Sequence, residues 1–145
     1  MSKSNTFEND LLLLLFNNTN IATLGDATGV RGSTVAGSLY LSLHTADPGE
    51  AGDQSTSETT YTGYARVAVA RSGAGFTVTG NQVVLAANQD FGACSAGTAT
   101  ITYFGVGTAS SGGGKLLYSG TVTSPISVST GVTPRLTTAT TITED

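Results

Sequence analysis

Leu39, Leu41 and Leu43 take every second position of "SLYLSLH" (38–44), with Tyr40 and Ser42 between them. A two-residue period puts the leucines on one face of an extended strand, whereas a helix would scatter them around its axis. The alternation returns in "YARVAVAR" (64–71). It gives way to a β-branched and aromatic run in "TATITYFGVG" (98–107). "FTVTG" (76–80), "NQVVLAANQDF" (81–91), "KLLYSGTVT" (115–123), "ISVSTG" (126–131) and "RLTTATTITE" (135–144) have the same extended character. Gly80-Asn81 and "SSGGGK" (110–115) are turns, and Pro125 and Pro134 fall at strand starts, where a missing N–H is tolerated. Short strands at this spacing predict an all-β fold, an antiparallel, jelly-roll-like β-sandwich of about eight strands. It spans residues 38–145, with Leu39, Leu41, Leu43, Val67, Val69, Ile101 and Leu116 mainly inward.

Composition points the same way. The chain has 145 residues, of which 25 are Thr, 15 Ser and 19 Gly, and only 11% are charged. That is well below the roughly 25% of an average soluble domain, so hydroxyls rather than charges make the polar surface. The net charge is −4, and the six basic residues, Lys3, Arg31, Arg66, Arg71, Lys115 and Arg135, are scattered. Direct binding of nucleic acid needs a clustered basic surface and is not expected.

The N-terminal segment differs. "LLLLLF" (11–16) is too short to span a bilayer, and its flanks, with Glu8 and Asp10 before it and "NNTN" after it, do not suit a signal peptide. No membrane association is expected. Asn5 followed by Glu8 resembles a capping box and predicts a helix over 6–17, ended by Asn17-Asn18. Leucines around most of its circumference require burial on several sides. Leu11, Leu12, Leu13, Leu14, Leu15 and Phe16 are therefore the candidate partner-binding surface, the alternative being that the helix plugs its own sandwich. Residues 18–37, with four glycines and no period, read as an extended arm or loop. The expected division is thus a helix and arm over 1–37 and a β-domain over 38–145.

Chemistry-bearing residues are few. "LYLSLHTADPGEAGDQ" (39–54) holds the only histidine, His44, with Asp47, Glu50 and Asp53 close behind. Asp47-Pro48-Gly49 is turn chemistry, and the tight alternation of oxygen ligands found in calcium loops is missing. His44 and Asp47 are expected to hold a strand end and turn, with no metal. Cys94 is single, so it forms neither an intrachain disulfide nor a cysteine metal cluster, and it reads as a small buried residue. "GTASSGGGK" (107–115) lacks the Gly-Lys-Ser/Thr ending and following helix of a phosphate-binding loop. "GVRGS" (29–33) lacks the Asp of an integrin-type tripeptide. One His, one Cys and scattered acids do not assemble acid–base or covalent catalysis, so neither an enzyme nor a cofactor is expected.

The order of "LYLSLHTADP" (39–48), "GYAR" (63–66) and an apolar, glycine-rich hairpin from Ile101 to Leu117 through "FGVG" and "GGGKLL" resembles a family of small tailed-bacteriophage virion proteins. The likeness covers roughly residues 38–143, and the preceding helix fits it as well. It implies a virion structural component. The first expectation is a capsid decoration (cement) protein on the capsid surface, binding across subunits of the major capsid protein and forming a homo-oligomer. The alternatives are a tail or fibre component contacting tail proteins, or a receptor- or carbohydrate-binding module. The last normally needs exposed aromatic platforms. Trp is absent, and the five tyrosines fall mostly on predicted strands.

Overall fold

The computed structural model describes residues 2–145. The alternating leucines form β1 (Ser38–His44), with Leu39, Leu41 and Leu43 buried. On either side of β1 lie β2 (Val67–Ala70) and, beyond the next elements in sequence, β6 (Ala99–Gly107); β7 (Leu116–Val128) pairs with β6. These four strands make one antiparallel sheet in the order β2-β1-β6-β7. A second sheet, β3-β4-β9, joins β3 (Phe76–Thr79), β4 (Gln82–Leu85) and β9 (Thr141–Thr143), also antiparallel. A two-stranded ribbon pairs β5 (Gln89–Asp90) with β8 (Arg135–Leu136). The protein is therefore mostly β, with antiparallel sheets and one helix.

One apolar core joins the two larger sheets. Leu41, Phe104 and Val106 from the first meet Phe76, Val83 and Ile142 from the second around a void of about 10 Å³. Val67 is only half-buried because β2 is an edge strand, and Leu116, expected inward, lies instead near Ser42 and His44 on the opposite face, with Leu117 packed on the core. Two predicted strands are subdivided and two are joined. Residues 81–91 turn after Leu85 before β5, and 135–144 split into β8 and β9. The runs 115–123 and 126–131 share β7, but with an irregularity: Ile101 pairs with Ile126 and Tyr103 with Thr121, so Val122–Pro125 bulge opposite Thr102 alone. Pro125 thus sits in a bulge, a second place where its missing N–H is harmless.

Helix α1 (Asn5–Asn17) packs on β3 and β4. Its N-cap is Ser4 rather than Asn5: the Ser4 hydroxyl accepts the Phe7 N–H at 3.4 Å. Asn18 closes the other end in the left-handed conformation, and the Thr19 N–H donates to the Leu13 carbonyl at 3.0 Å. Arg71, just past β2, adds a second clamp by donating to the carbonyls of Leu15 (2.6 Å) and Leu14 (2.5 Å). A cation on these free carbonyls also complements the helix dipole.

Residues 18–37 are not an open arm. Ile21 and Val30 form an antiparallel bridge, and Ile21 is buried. Asn18 exchanges two hydrogen bonds with the Ser33 backbone at 2.7 and 2.8 Å, and Asn20 accepts the Gly32 N–H at 2.8 Å. Arg71 reaches the Ser33 hydroxyl at 3.0 Å. These side-chain bonds fold the segment back on the end of the helix. The two chain ends also meet: Lys3 lies 3.0 Å from Glu144 and donates to the Asp145 carbonyl, while Tyr118 donates to Glu144 at 2.5 Å.

Candidate functional site

The stretch 39–54 leads into the main concentration of buried polar groups. Ser42 and His44 alternate with the core leucines of β1, so they point to the opposite face of the sheet, yet both are fully buried. The segment after β1 covers them. The His44 Nδ1 lies 2.8 Å from the Thr56 carbonyl, which can only accept, so Nδ1 carries the proton. Nε2 is then free to accept the Ser42 hydroxyl at 2.8 Å. Burial, the largest cause, holds the His44 pKa below its ordinary value, and the ring stays neutral.

Gln54 is the second member. Its side chain, fully buried, donates to the Tyr40 carbonyl at 3.2 Å and accepts the Ala109 N–H at 2.9 Å. Its own N–H donates to the Gly114 carbonyl at 2.9 Å. One residue thereby ties β1 to both arms of the β6–β7 turn. Glycines make the room. A methyl group on Gly107 would overlap the Gln54 side chain, and one on Gly105 would come within 2.7 Å of the Ser42 hydroxyl and 2.8 Å of the His44 Nε2.

The third member is an ion pair. Arg66 presents its Nε and Nη2 to the two carboxylate oxygens of Glu58, both at 2.7 Å, and only 2% of its side chain is exposed. Its remaining donors reach the carbonyls of Ala109 at 3.0 Å and Gly112 at 2.7 Å. Tyr64 donates to Glu58 at 2.7 Å and accepts the Leu43 N–H at 3.1 Å. Burial, ahead of the Glu58 charge, pushes the Tyr64 pKa up, so the phenol remains a neutral donor. The "GYAR" and "SSGGGK" segments are thus two halves of one contact: the guanidinium fills the concave side of the turn.

The expected loop residues do not converge. Asp47 accepts the Gly49 N–H at 2.9 Å, and Asp53 accepts the Ser55 N–H and hydroxyl at 2.8 and 2.6 Å. These are turn bonds, and Glu50 is exposed. Among the described residues, no three side chains of His, Cys, Asp or Glu are grouped as metal ligands. Cys94 is buried, its thiol facing the carbonyls of Ala96 and Gly97. No helix among the described residues is long and apolar enough to cross a membrane.

The leucine run divides by its own helical spacing. Leu12 and Phe16, four residues apart, are fully buried, with the Phe16 ring 5.0 Å from Phe76 and 5.6 Å from Tyr118. Leu11, Leu13, Leu14 and Leu15 are half-buried. The surface also carries shallow grooves. One of about 380 Å³ lies beneath the β7 bulge, between Thr121–Ser124 and Thr137–Thr141. Another, of about 490 Å³, lies between the 47–52 loop and Tyr103, Leu116 and Ser119.

The side chains of Ser42, His44, Gln54, Glu58, Tyr64 and Arg66 are all turned on other parts of the same chain, so the molecule is defined as a β-protein with these polar residues committed to shape. The chain belongs to the family described as "Podophage GP4 fiber I protein gp80", whose profile matches residues 2–143, and so to a family of phage virion fibre proteins. No curated protein matches the chain.

Proposed function

We propose that this chain is a structural component of a podophage fibre, acting through protein contacts and not through catalysis. The observation that carries the reading is a family match spanning the helix, the folded-back arm and nearly all the strands, in a family described as fibre I protein. The internal commitment of His44, Glu58, Tyr64 and Arg66 supports a non-catalytic role, since none is left free to meet a substrate. We read the four- and three-stranded sheets as the two layers of a sandwich, although their strand order gives no particular support to jelly-roll connectivity. Its neighbours in the particle are then tail proteins. The cement reading, with the major capsid protein as partner, is the alternative that the resemblance also allows; of its candidate docking residues Leu12 and Phe16 lie in the chain's own core, while Leu11, Leu13, Leu14 and Leu15 are half-buried.

Electron microscopy of purified particles decorated with labelled antibody tests the proposal. Label on the fibres or tail is expected. Label spread over the head would overturn the fibre assignment in favour of a cement role.

A further inference from the structure

His44 is fully buried, yet what shuts it from water is slight. The segment over it, residues 55–57, has only small polar side chains, with Ser55 and Ser57 exposed and Thr56 half-buried. Bonds to Asp53 and Glu58 close this segment into a turn. Beyond that turn, among the described residues, three hydrogen bonds hold it to the end of β1. The Thr56 carbonyl accepts the His44 Nδ1–H at 2.8 Å, and the Ser57 carbonyl accepts the Thr45 N–H at 2.9 Å and the Thr45 hydroxyl at 3.2 Å. The firm anchors stand on either side. Gln54 is fully buried and bonded to Tyr40, Ala109 and Gly114, and Glu58 is held by Arg66 and Tyr64. Two features weigh against the closed form. Ser57 is left-handed, with φ 56°, a conformation that a side chain disfavours. At the end of the same loop, the buried Thr59 hydroxyl has no hydrogen-bond partner. A segment with no apolar contacts and few bonds can open apart from the rest of a fold.

We propose that residues 55–57 form an acid-sensitive flap, which lifts off His44 under mild acid while Gln54, Glu58 and the sheets keep their places. The trigger is the imidazole. In the closed form its Nδ1–H is committed to Thr56, and its Nε2 accepts the Ser42 hydroxyl. A proton on Nε2 reverses that second bond. Ser42 must then accept, and its own hydroxyl hydrogen loses its acceptor. The new charge is also cut off from water. Of the charges that face it, Glu58 favours the proton and Arg66 opposes it, and these two are already paired with each other. Asp53, at the foot of the flap, is bonded to Ser55. Tyr64, bonded to Glu58, and Tyr103, opposite His44 on β6, present phenols. Opening the flap gives the imidazolium water without disturbing either sheet. A proton taken up by the open form alone raises the open share by at most about tenfold per pH unit below the ordinary histidine value of 6.5.

The test is amide hydrogen exchange of the purified full chain, followed by NMR and corrected for the intrinsic rate at each pH. The reporter is the Thr45 N–H, whose acceptor lies on the flap. At pH 7.5 it should exchange faster than the Gln54 N–H, whose acceptor is Gly114, and faster than the ladder between β1 and β6. Urea below the unfolding range should leave its rate unchanged, because lifting the flap exposes little surface. At pH 5.5 its open fraction should be about three- to tenfold larger. His44→Asn keeps a donor for Thr56 and should abolish that rise. Thr45 exchange that matches the ladder at every urea concentration would overturn the proposal, since only whole-molecule unfolding would then uncover His44. A rise with acid that persists in the His44→Asn protein would equally overturn it, by removing the imidazole as trigger. The measurement reads one loop of the isolated chain, so its outcome is independent of the fibre assignment.

Discussion

The two faces of β1 are both buried, by opposite means. Leu39, Leu41 and Leu43 meet the second sheet and the helix through apolar contact. Ser42 and His44 on the other face meet a loop, and hydrogen bonds and one ion pair hold that loop down. Apolar burial is non-directional and tolerates rearrangement. A buried polar network is strong only when complete, because each orphaned group keeps its full desolvation cost. The apolar face should therefore fail in proportion to what is removed, and the polar face should fail abruptly at single atoms.

The largest effect is expected on the apolar face. Deleting residues 1–20 removes Leu12 and Phe16 from the core and takes away the carbonyls that Arg71 clamps. Loss of two buried side chains of this size costs about 5–10 kcal/mol, comparable to the whole stability of a domain. The truncated protein should show no cooperative melt by circular dichroism. If it melts near the wild-type temperature, the helix is an appendage and the comparison drawn above is wrong.

On the polar face, Arg66→Ala should cost about 3–5 kcal/mol, read as a lower urea midpoint, because it strands Glu58 and the carbonyls of Ala109 and Gly112. Arg66→Lys should recover only part of this, since a point charge cannot reproduce the two-pronged contact. Equal stability of the Lys and Arg proteins would show that charge alone matters there. Gly107→Ala should cost less, about 1–3 kcal/mol, by pushing Gln54 off its bonds to β1 and Ala109. Restoring stability with Gln54→Ala in the same chain would reveal plain overpacking, with no role for the Gln54 hydrogen bonds.

These faces differed equally in how far the sequence revealed them. The span of β1 was legible at both ends, because a two-residue period has one structural meaning. The helix was legible too, displaced only at its cap, where Ser4 and Asn5 are both good cap residues and sequence alone does not choose between them. Period says nothing of bonds between distant segments. The folding back of 18–37 depends on Asn18 meeting Ser33 and on Arg71 meeting the helix end 56 residues earlier in the chain. His44 was readable as a strand-end residue, but its covering partners Gln54, Thr56 and Glu58 looked like an ordinary polar loop. The one available signal was the family likeness: "LYLSLHTADP", "GYAR" and the glycine-rich hairpin stood out together, and the structure supplies the physical reason by packing them against one another.

The smallest effect isolates the polar face by titration. His44 is the only histidine, and burial lowers its pKa in the folded chain below the ordinary 6.5. Between 6.5 and that lowered value the unfolded chain binds a proton that the folded chain refuses, so stability rises with pH across the window. It should be fully present above pH 6.5 and fall steadily as the pH is lowered from there toward 5. The carboxylates held below their usual range, Asp90 by its hydrogen bond to Arg135 and Asp53 by its bonds to Ser55, titrate lower still and add their own loss only under stronger acid. His44→Asn keeps a donor for the Thr56 carbonyl but has no ring to protonate, so its urea midpoint should be lower at pH 7 and flat between pH 7 and 5. A wild type equally flat across this range would mean that the imidazole is as easily protonated in the folded chain as in the unfolded one. In that case water reaches His44, and the loop is a loose cover instead of a second, polar core.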